Sequence, residues 1–130
     1  MDIISVGYYK EMPHGKIDSP SIKDVVGKEQ KELIEKICDY LASGVTLVTS
    51  PGVANDVINP DRGEIGTLSA MTDGTWLWPG DLAYYVKNYK LKLPEAFLKT
   101  MEANEWSSKL KLEDIDFDSL TIDGMSPFEA

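Results

Sequence analysis

Hydrophobic and polar positions follow two periods along the chain, and each period predicts a different element. Alternation every second residue is typical of strands, while apolar positions three and four residues apart are typical of helices. The first pattern predicts strands at residues 3–9, 45–49, 64–72 and 75–78. The second predicts helices at residues 28–43, from 81 to 88 or 89, and from 94 to near 106. We therefore expect an α+β fold, with an antiparallel sheet of about four to five strands and about three helices packed mainly on one face.

The stretch from Thr72 to Tyr85 contains the most residues whose type favours one particular local structure. Asp73-Gly74 predicts a hairpin with a type I′ turn, because both central positions of that turn need a positive φ. Trp76 and Trp78 stand two residues apart, so a strand directs both indoles to the same side. Two interpretations stay open: Trp76, Trp78 and Tyr85 form a core face beneath the helices, or Trp78 or Tyr84 is part of an exposed anchor for a partner. Asp81 is expected to cap the second helix with its side chain.

Turn-forming residues separate the predicted elements. Ser50-Pro51-Gly52 is expected to end the second strand, and residues 53–58 then form either a further strand or an irregular segment. Residues 59–63 predict a turn or an exposed loop tip. Near the N-terminus, Ser19 followed by Pro20 predicts a short helical turn with the serine as its cap.

The composition and the periodicity of the chain change at Ser107. Residues 113–130 are acidic, with no lysine or arginine and with poor periodicity of the apolar positions. We expect a single α+β domain over residues 1–106 and an acidic C-terminal tail over residues 107–130. That tail is a loosely docked segment, a terminal strand or a flexible arm.

The composition and the net charge restrict the kinds of molecule that this chain is expected to bind. The chain has 130 residues, one cysteine and a formal net charge of −9. A protein that binds nucleic acid or an anionic membrane needs a cluster of basic residues, which this composition does not offer. Complementary fields favour a basic protein partner, although solubility alone also explains moderate negative charge. No apolar run long enough for a membrane span and no signal peptide is recognised, so we expect the cytoplasm.

The residues do not form a recognised catalytic or metal-binding motif. The single histidine, His14, falls in a predicted loop, and the single cysteine, Cys38, falls in a helical pattern typical of a structural thiol. Asp116, Asp118 and Asp123 lack the glycine-bounded spacing of a calcium loop. We therefore expect no enzymatic activity, no metal and no cofactor.

One stretch does carry a family resemblance. The segment from Thr72 to Val86, followed by Leu93-Pro94-Glu95-Ala96-Phe97, resembles a group of small bacterial proteins that share the core TDG-x-W-x-WP-x-DLAYYV…LP-x-x-F. Three upstream segments look similar as well: Val6-Gly7-Tyr8-Tyr9, Pro20-Ser21-Ile22 and Ser50-Pro51-Gly52. The resemblance covers roughly residues 3–105 and leaves out the acidic tail.

The resemblance implies that the chain is an immunity protein of a polymorphic toxin system, and it identifies no catalytic residues. Such a protein would neutralise a basic toxin, for example a nuclease, by occluding its active site with carboxylates and one or two aromatic anchors. The candidate partner-binding residues are Asp56, Asp61, Glu64, Asp73, Asp81 and Tyr84, with the acids of residues 113–123 as a second patch. The alternatives are a small adaptor or regulator without a toxin partner, and a ligand-binding domain or hydrolase with a pocket lined by Trp76 or Trp78.

Overall fold

A computed structural model describes residues 1–12, 15 and 18–125. The strands are β1 (Asp2–Ser5), β2 (Val45–Asn55), β3 (Glu64–Thr72), β4 (Trp76–Pro79) and β5 (Thr121–Ile122). The helices are α1 (Lys31–Ser43), α2 (Leu82–Tyr89) and α3 (Glu95–Ala103), and short 3-10 turns lie at Ile22–Asp24, Pro60–Arg62 and Leu112–Asp114. His14 lies outside the described residues.

The strands form one mixed sheet in the order β2-β3-β4-β1-β5. β3 is antiparallel to β2 and β4, whereas β1 is parallel to both β4 and β5. The α+β class is therefore confirmed, and the expectation of a purely antiparallel sheet is wrong. Parallel strands need a long crossover connection. The connection from β1 to its neighbour β4 contains α1, β2 and β3, and the connection from β4 to β5, on the other side of β1, contains α2 and α3.

The alternation in β4 divides the apolar residues between the two faces of the sheet. Trp78 belongs to the larger core cluster, to which all three helices contribute side chains. Leu77 packs on the opposite face with Ile3 and Leu120 in a smaller cluster. Trp76 is half-buried against the larger cluster. The helices thus cover the face that carries both indoles, which matches the interpretation of the two tryptophans as core residues.

Trp78 fixes the junction between α1 and β2. Its side chain is 1% exposed, and a Cβ placed on Gly44 would meet its Cζ2 atom at 2.5 Å. Gly44 has a φ of −67°, which any residue can adopt. Glycine is therefore required here by the close approach of the indole and not by backbone conformation.

The hairpin between β3 and β4 is present, but its turn is not type I′. Gly74 has a positive φ, whereas Asp73 does not. The Asp73 Oδ1 atom instead accepts hydrogen bonds from the backbone N–H groups of Thr75 (2.9 Å) and Trp76 (2.7 Å). Because the carboxylate holds the turn, the second residue with positive φ is not needed.

β2 continues through Pro51 and Gly52, where the sequence predicted its end. The pairing with β3 skips from Ser50 to Val53, so Pro51 and Gly52 sit in an irregularity of the ladder. β2 is also an edge strand, where a residue without an N–H group is tolerated. The alternative of a further strand after residue 52 thus applies to Val53–Asn55, as the second half of β2.

The C-terminal segment returns to the sheet. The backbone N–H of Ser108 donates to the Ser43 hydroxyl (2.8 Å), and Leu120 is buried beneath the sheet. β5 then pairs with β1, and the Asp123 carboxylate accepts a hydrogen bond from the backbone N–H of Ser5 (2.9 Å). Residues 121–122 therefore form a terminal strand, while residues 126–130 of the predicted tail lie outside the described residues.

Near the N-terminus the predicted helical turn is shorter than expected. It is a 3-10 turn, Ile22–Asp24, and its cap is Ser21 in place of Ser19. The Ser21 hydroxyl also hydrogen-bonds to the Glu11 carboxylate, which accepts the backbone N–H of Ile22 as well (2.9 Å). The 3-10 turn starts at Ile22, whose backbone N–H has the Glu11 carboxylate as its acceptor.

Candidate functional site

The most densely bonded polar group among the candidate residues is the carboxylate of Asp56. It is 1% exposed and follows directly after β2. Its Oδ2 atom accepts hydrogen bonds from the hydroxyls of Tyr84 (2.7 Å) and Tyr89 (2.5 Å). Its Oδ1 atom accepts the backbone N–H groups of Ile58 and Asn59, each at 2.8 Å. Four donors thus surround one buried carboxylate, and we call Asp56, Tyr84 and Tyr89 the tyrosine–aspartate anchor.

Three further contacts tie the same part of the chain to α2. The hydroxyl of Tyr85 accepts the backbone N–H of Val57 (3.0 Å) and donates to the carbonyl of Asn55 (3.1 Å). The guanidinium of Arg62 lies 6.0 Å from the ring centroid of Tyr89, within the range of a cation–π contact. The loop between β2 and β3 is therefore held by three tyrosines of one short helix.

The electrostatics of the anchor favour a fixed charge state. Burial raises the pKa of Asp56, but the hydrogen bonds from Tyr89, Asn59, Tyr84 and Ile58 outweigh it and leave that pKa below its usual value. The hydrogen bond to Asp56 raises the pKa of Tyr89 to about 12. At neutral pH the carboxylate is ionised and the phenol is protonated. With its lone pairs occupied by four donors, the carboxylate is suited to hold structure and poorly suited to act as a general base.

Two of the predicted partner-binding residues belong to the anchor. Asp56 is buried and Tyr84 is half-buried, and the Tyr84 hydroxyl donates to the Asp56 carboxylate, so both polar groups are engaged within the fold. The physical reason is that backbone N–H groups in an irregular loop have no partners from a helix or a strand, and the Asp56 carboxylate accepts those of Ile58 and Asn59. The tyrosines on one side of α2 provide the remaining donors.

The four other predicted residues separate into two kinds. Asp61 and Glu64 are exposed at the tip of the loop and at the start of β3. Asp73 is half-buried in its turn and accepts a further hydrogen bond from the Tyr40 hydroxyl (2.6 Å). Asp81 is only 9% exposed, and its side chain makes no cap hydrogen bond to α2, so the predicted cap is wrong.

The acids of the second predicted patch are exposed. Residues 112–125, which we call the C-terminal acidic segment, contain no lysine or arginine. The exposed acids of this segment are Glu113, Asp114, Asp116, Asp118 and Asp123. Three large apolar side chains are exposed in the same segment, Leu112 (56% exposed), Phe117 (39%) and Met125 (72%), whereas Ile115 and Leu120 are buried. Exposed acidic and apolar residues therefore alternate with buried ones along this segment.

A cleft of about 750 Å³ lies where the three parallel strands end. Its lining includes Ser5, Tyr8, Tyr9, Asp18 and Asp123. Burial raises the pKa of the Tyr8 hydroxyl, with a smaller contribution from Asp81 and Asp123. Its lining includes neither Trp78, which is 1% exposed, nor the half-buried Trp76.

Within the described residues, no group of three or more histidine, cysteine, aspartate or glutamate side chains could hold a metal ion. No helix in that part of the chain is long and apolar enough to cross a membrane. Comparisons with protein families, with curated proteins and with solved structures gave no match.

Sequence reasoning located the acidic surface but missed the anchor. The spacing of Tyr85 and Tyr89 favours a core face, and both rings pack in or against the larger core cluster, but the spacing does not reveal what their hydroxyls bond. A buried hydroxyl needs a partner. Three tyrosines within six residues of α2 are therefore the signal that a nearby acceptor had to exist.

Proposed function

We propose that this chain is a non-catalytic binding protein that neutralises a basic protein toxin by covering its active site. The observation that carries the proposal is the C-terminal acidic segment, a run of exposed carboxylates with no base among them. A toxin that acts on nucleic acid must present lysine and arginine side chains to phosphates. Those same side chains are the complement of an acidic surface.

The distribution of polar groups supports the same proposal. Asp56, Asp73 and Tyr84 are engaged in hydrogen bonds within the fold, so they stabilise the scaffold. The acids of residues 113–123 remain on the surface of a chain whose net charge is −9. Long-range attraction of a basic partner would therefore be directed by this segment together with the exposed Asp61 and Glu64.

Exposed apolar side chains would supply the short-range part of the binding energy at such a surface. The sequence suggested Trp78 or Tyr84 as aromatic anchors, but Trp78 is buried and Tyr84 is bonded to Asp56. Phe117 and Leu112 take that place in the proposal, because they are exposed between the carboxylates. Binding energy in an interface concentrates in a few apolar anchors, while surrounding charges set the rate of association and the choice of partner.

The experiment is co-expression of the full chain with the basic toxin domain encoded beside it. We expect rescue of growth, and a complex that survives size-exclusion chromatography. A catalytically dead toxin serves as the control for the complex, because it removes toxicity without changing the basic surface. Absence of both rescue and complex would remove the proposal.

A further inference from the structure

The hydroxyls of Tyr8 and Tyr9, which follow β1, lack the hydrogen bonds that the other tyrosines make. Within the described residues neither hydroxyl has a hydrogen-bond partner, and burial raises the pKa of Tyr9 to about 12 with no contribution from a hydrogen bond. The four other tyrosine hydroxyls are bonded inside the fold: Tyr40, Tyr84, Tyr85 and Tyr89. A buried phenol usually finds a partner, so the two remaining hydroxyls have unused donors and acceptors.

Both tyrosines line the cleft of about 750 Å³ at the ends of β1 and β5. Tyr9 is only 6% exposed. In the described part of the chain, the unpaired side-chain atoms that protein encloses completely are Glu29 Oε1 and Trp78 Nε1, so the Tyr9 oxygen is reachable by solvent. Since Tyr9 lines the cleft, its hydroxyl is reached from the cleft. Ligands commonly bind beyond the carboxyl ends of parallel strands, in clefts of about this volume.

The charged side chains of the described lining are two acids, Asp18 and Asp123. The Asp123 carboxylate accepts the backbone N–H (2.9 Å) and the hydroxyl (2.5 Å) of Ser5, and it keeps further lone pairs because each carboxylate oxygen can accept two hydrogen bonds. Its charge contributes to the raised pKa of Tyr8, so this phenol lies within the field of the carboxylate. Much of the remaining described lining is apolar: Val6, Pro20, Leu77, Pro94, Ile122 and Met125.

We propose that this cleft binds a small organic cation, in which an ammonium or guanidinium group is carried on an apolar body. The cationic group lies against the two carboxylates and the two tyrosine hydroxyls, and the body lies against the apolar lining. An ammonium has three donors and no acceptor, which matches carboxylate and phenol oxygens. The faces of aromatic rings attract cations as well.

The charge of the cleft selects this ligand class over anionic and neutral ones. A phosphate or carboxylate ligand needs basic side chains, and the described lining has none. A neutral polyol could hydrogen-bond to the hydroxyls, but it would leave two negative charges unbalanced in a chain of net charge −9. A cation offsets them. The proposal concerns the free protein, so it does not rest on the toxin-binding function.

Nuclear magnetic resonance titration of the isotope-labelled full chain tests the proposal, with phenethylamine and agmatine as the cations. Phenethyl alcohol, which has the shape of the first amine without its charge, is the matched neutral ligand. With the amines we expect saturable shifts of the backbone amides of residues 5–9 and 122–124, and affinity that falls about fivefold as salt rises. The alcohol should bind roughly tenfold more weakly. Absence of saturable shifts with both amines, or equal binding of amine and alcohol, would overturn the proposal.

Two substitutions separate recognition from folding. Tyr9→Phe removes a hydroxyl that has no partner among the described residues, and Asp18→Asn removes the charge of an exposed acid, so both variants should keep the wild-type denaturation midpoint. Each should weaken the binding of phenethylamine about fivefold. Asp61→Asn, at an exposed position outside the cleft, is the control and should bind like wild type. Wild-type affinity in both cleft variants would contradict the proposed site.

The capped tripeptide alanyl-lysyl-alanine distinguishes two sources of the cation, since it carries the ammonium group on a protein side chain. Preference for the free amines identifies a small molecule as the ligand, and preference for the tripeptide identifies a side chain of a protein partner. Whichever probe binds, its affinity should fall in Tyr9→Phe. Binding of the tripeptide alone, unchanged in that variant, would place the cation elsewhere on the acidic surface and count against the proposal.

Discussion

Replacing Asp56 with alanine is expected to lower the free energy of unfolding by about 3 kcal/mol. The substitution leaves the hydroxyls of Tyr84 and Tyr89 and two backbone N–H groups without their acceptor. Each buried donor without a partner carries a desolvation cost, and bonds to a charged acceptor are the stronger ones. Urea denaturation followed by circular dichroism measures the loss.

Two controls make this result specific. Asp61→Ala removes an exposed acid from the same loop and should change the free energy of unfolding by less than about 0.5 kcal/mol. The pKa of Asp56 is lowered by folding, so its stabilisation is complete above the unfolded-state pKa of about 4 and is lost as the pH falls through the folded value. The difference between wild type and Asp56→Asn should therefore shrink in acid. Equal stabilities of Asp56→Ala and Asp61→Ala at neutral pH would refute the anchor.

Replacing Trp78 with alanine is expected to cost about 3–5 kcal/mol of unfolding free energy. The indole is 1% exposed, and its ring lies 5.4 Å from that of Phe97 and 6.2 Å from that of Tyr40, so one side chain joins β4 to α1 and α3. Its Nε1–H group has no hydrogen-bond partner among the described residues. Trp78→Phe removes that unpaired donor together with part of the ring and should cost less than half as much.

Chemical denaturation of both variants, followed by far-ultraviolet circular dichroism, checks this second prediction. The matched comparison is Trp106→Ala, a half-buried indole that lies beneath the Lys36 ammonium at 5.5 Å. It should cost about 1 kcal/mol, because less apolar area is lost and the side chain is not enclosed. A loss from Trp78→Ala no larger than that from Trp106→Ala would contradict the central position of Trp78 in the core.

Local patterns predicted the helices and the two-faced strand because those features depend on neighbours in sequence. The apolar spacing in residues 31–43 identifies α1, and the alternation around Leu77 correctly predicts that the two indoles share a face. Strand order depends on contacts far apart in sequence. Nothing in the alternation of β1 shows that its neighbours are β4 and β5, and so the parallel pairs were missed.

The same distinction applies to the candidate residues. Charge predicted that acids near residues 56–64 and 113–123 lie at the surface, which is correct for Asp61, Glu64 and the C-terminal acidic segment. Asp56 differs because its donors, Tyr84 and Tyr89, stand 28 and 33 residues away. Whether a carboxylate faces solvent or a cluster of hydroxyls is decided by tertiary packing, which no local pattern carries.

Titration calorimetry of the chain with the purified, catalytically dead toxin domain tests the proposed neutralisation of a basic toxin. We expect binding that weakens as salt rises, because complementary charges attract the two proteins. We also expect at least tenfold weaker binding for a variant with Glu113→Gln, Asp114→Asn, Asp116→Asn and Asp118→Asn, whereas Asp24→Asn with Glu35→Gln, exposed acids outside the segment, should bind like wild type. Absence of binding, or an affinity unaffected by salt and by the fourfold substitution, would refute the proposed function.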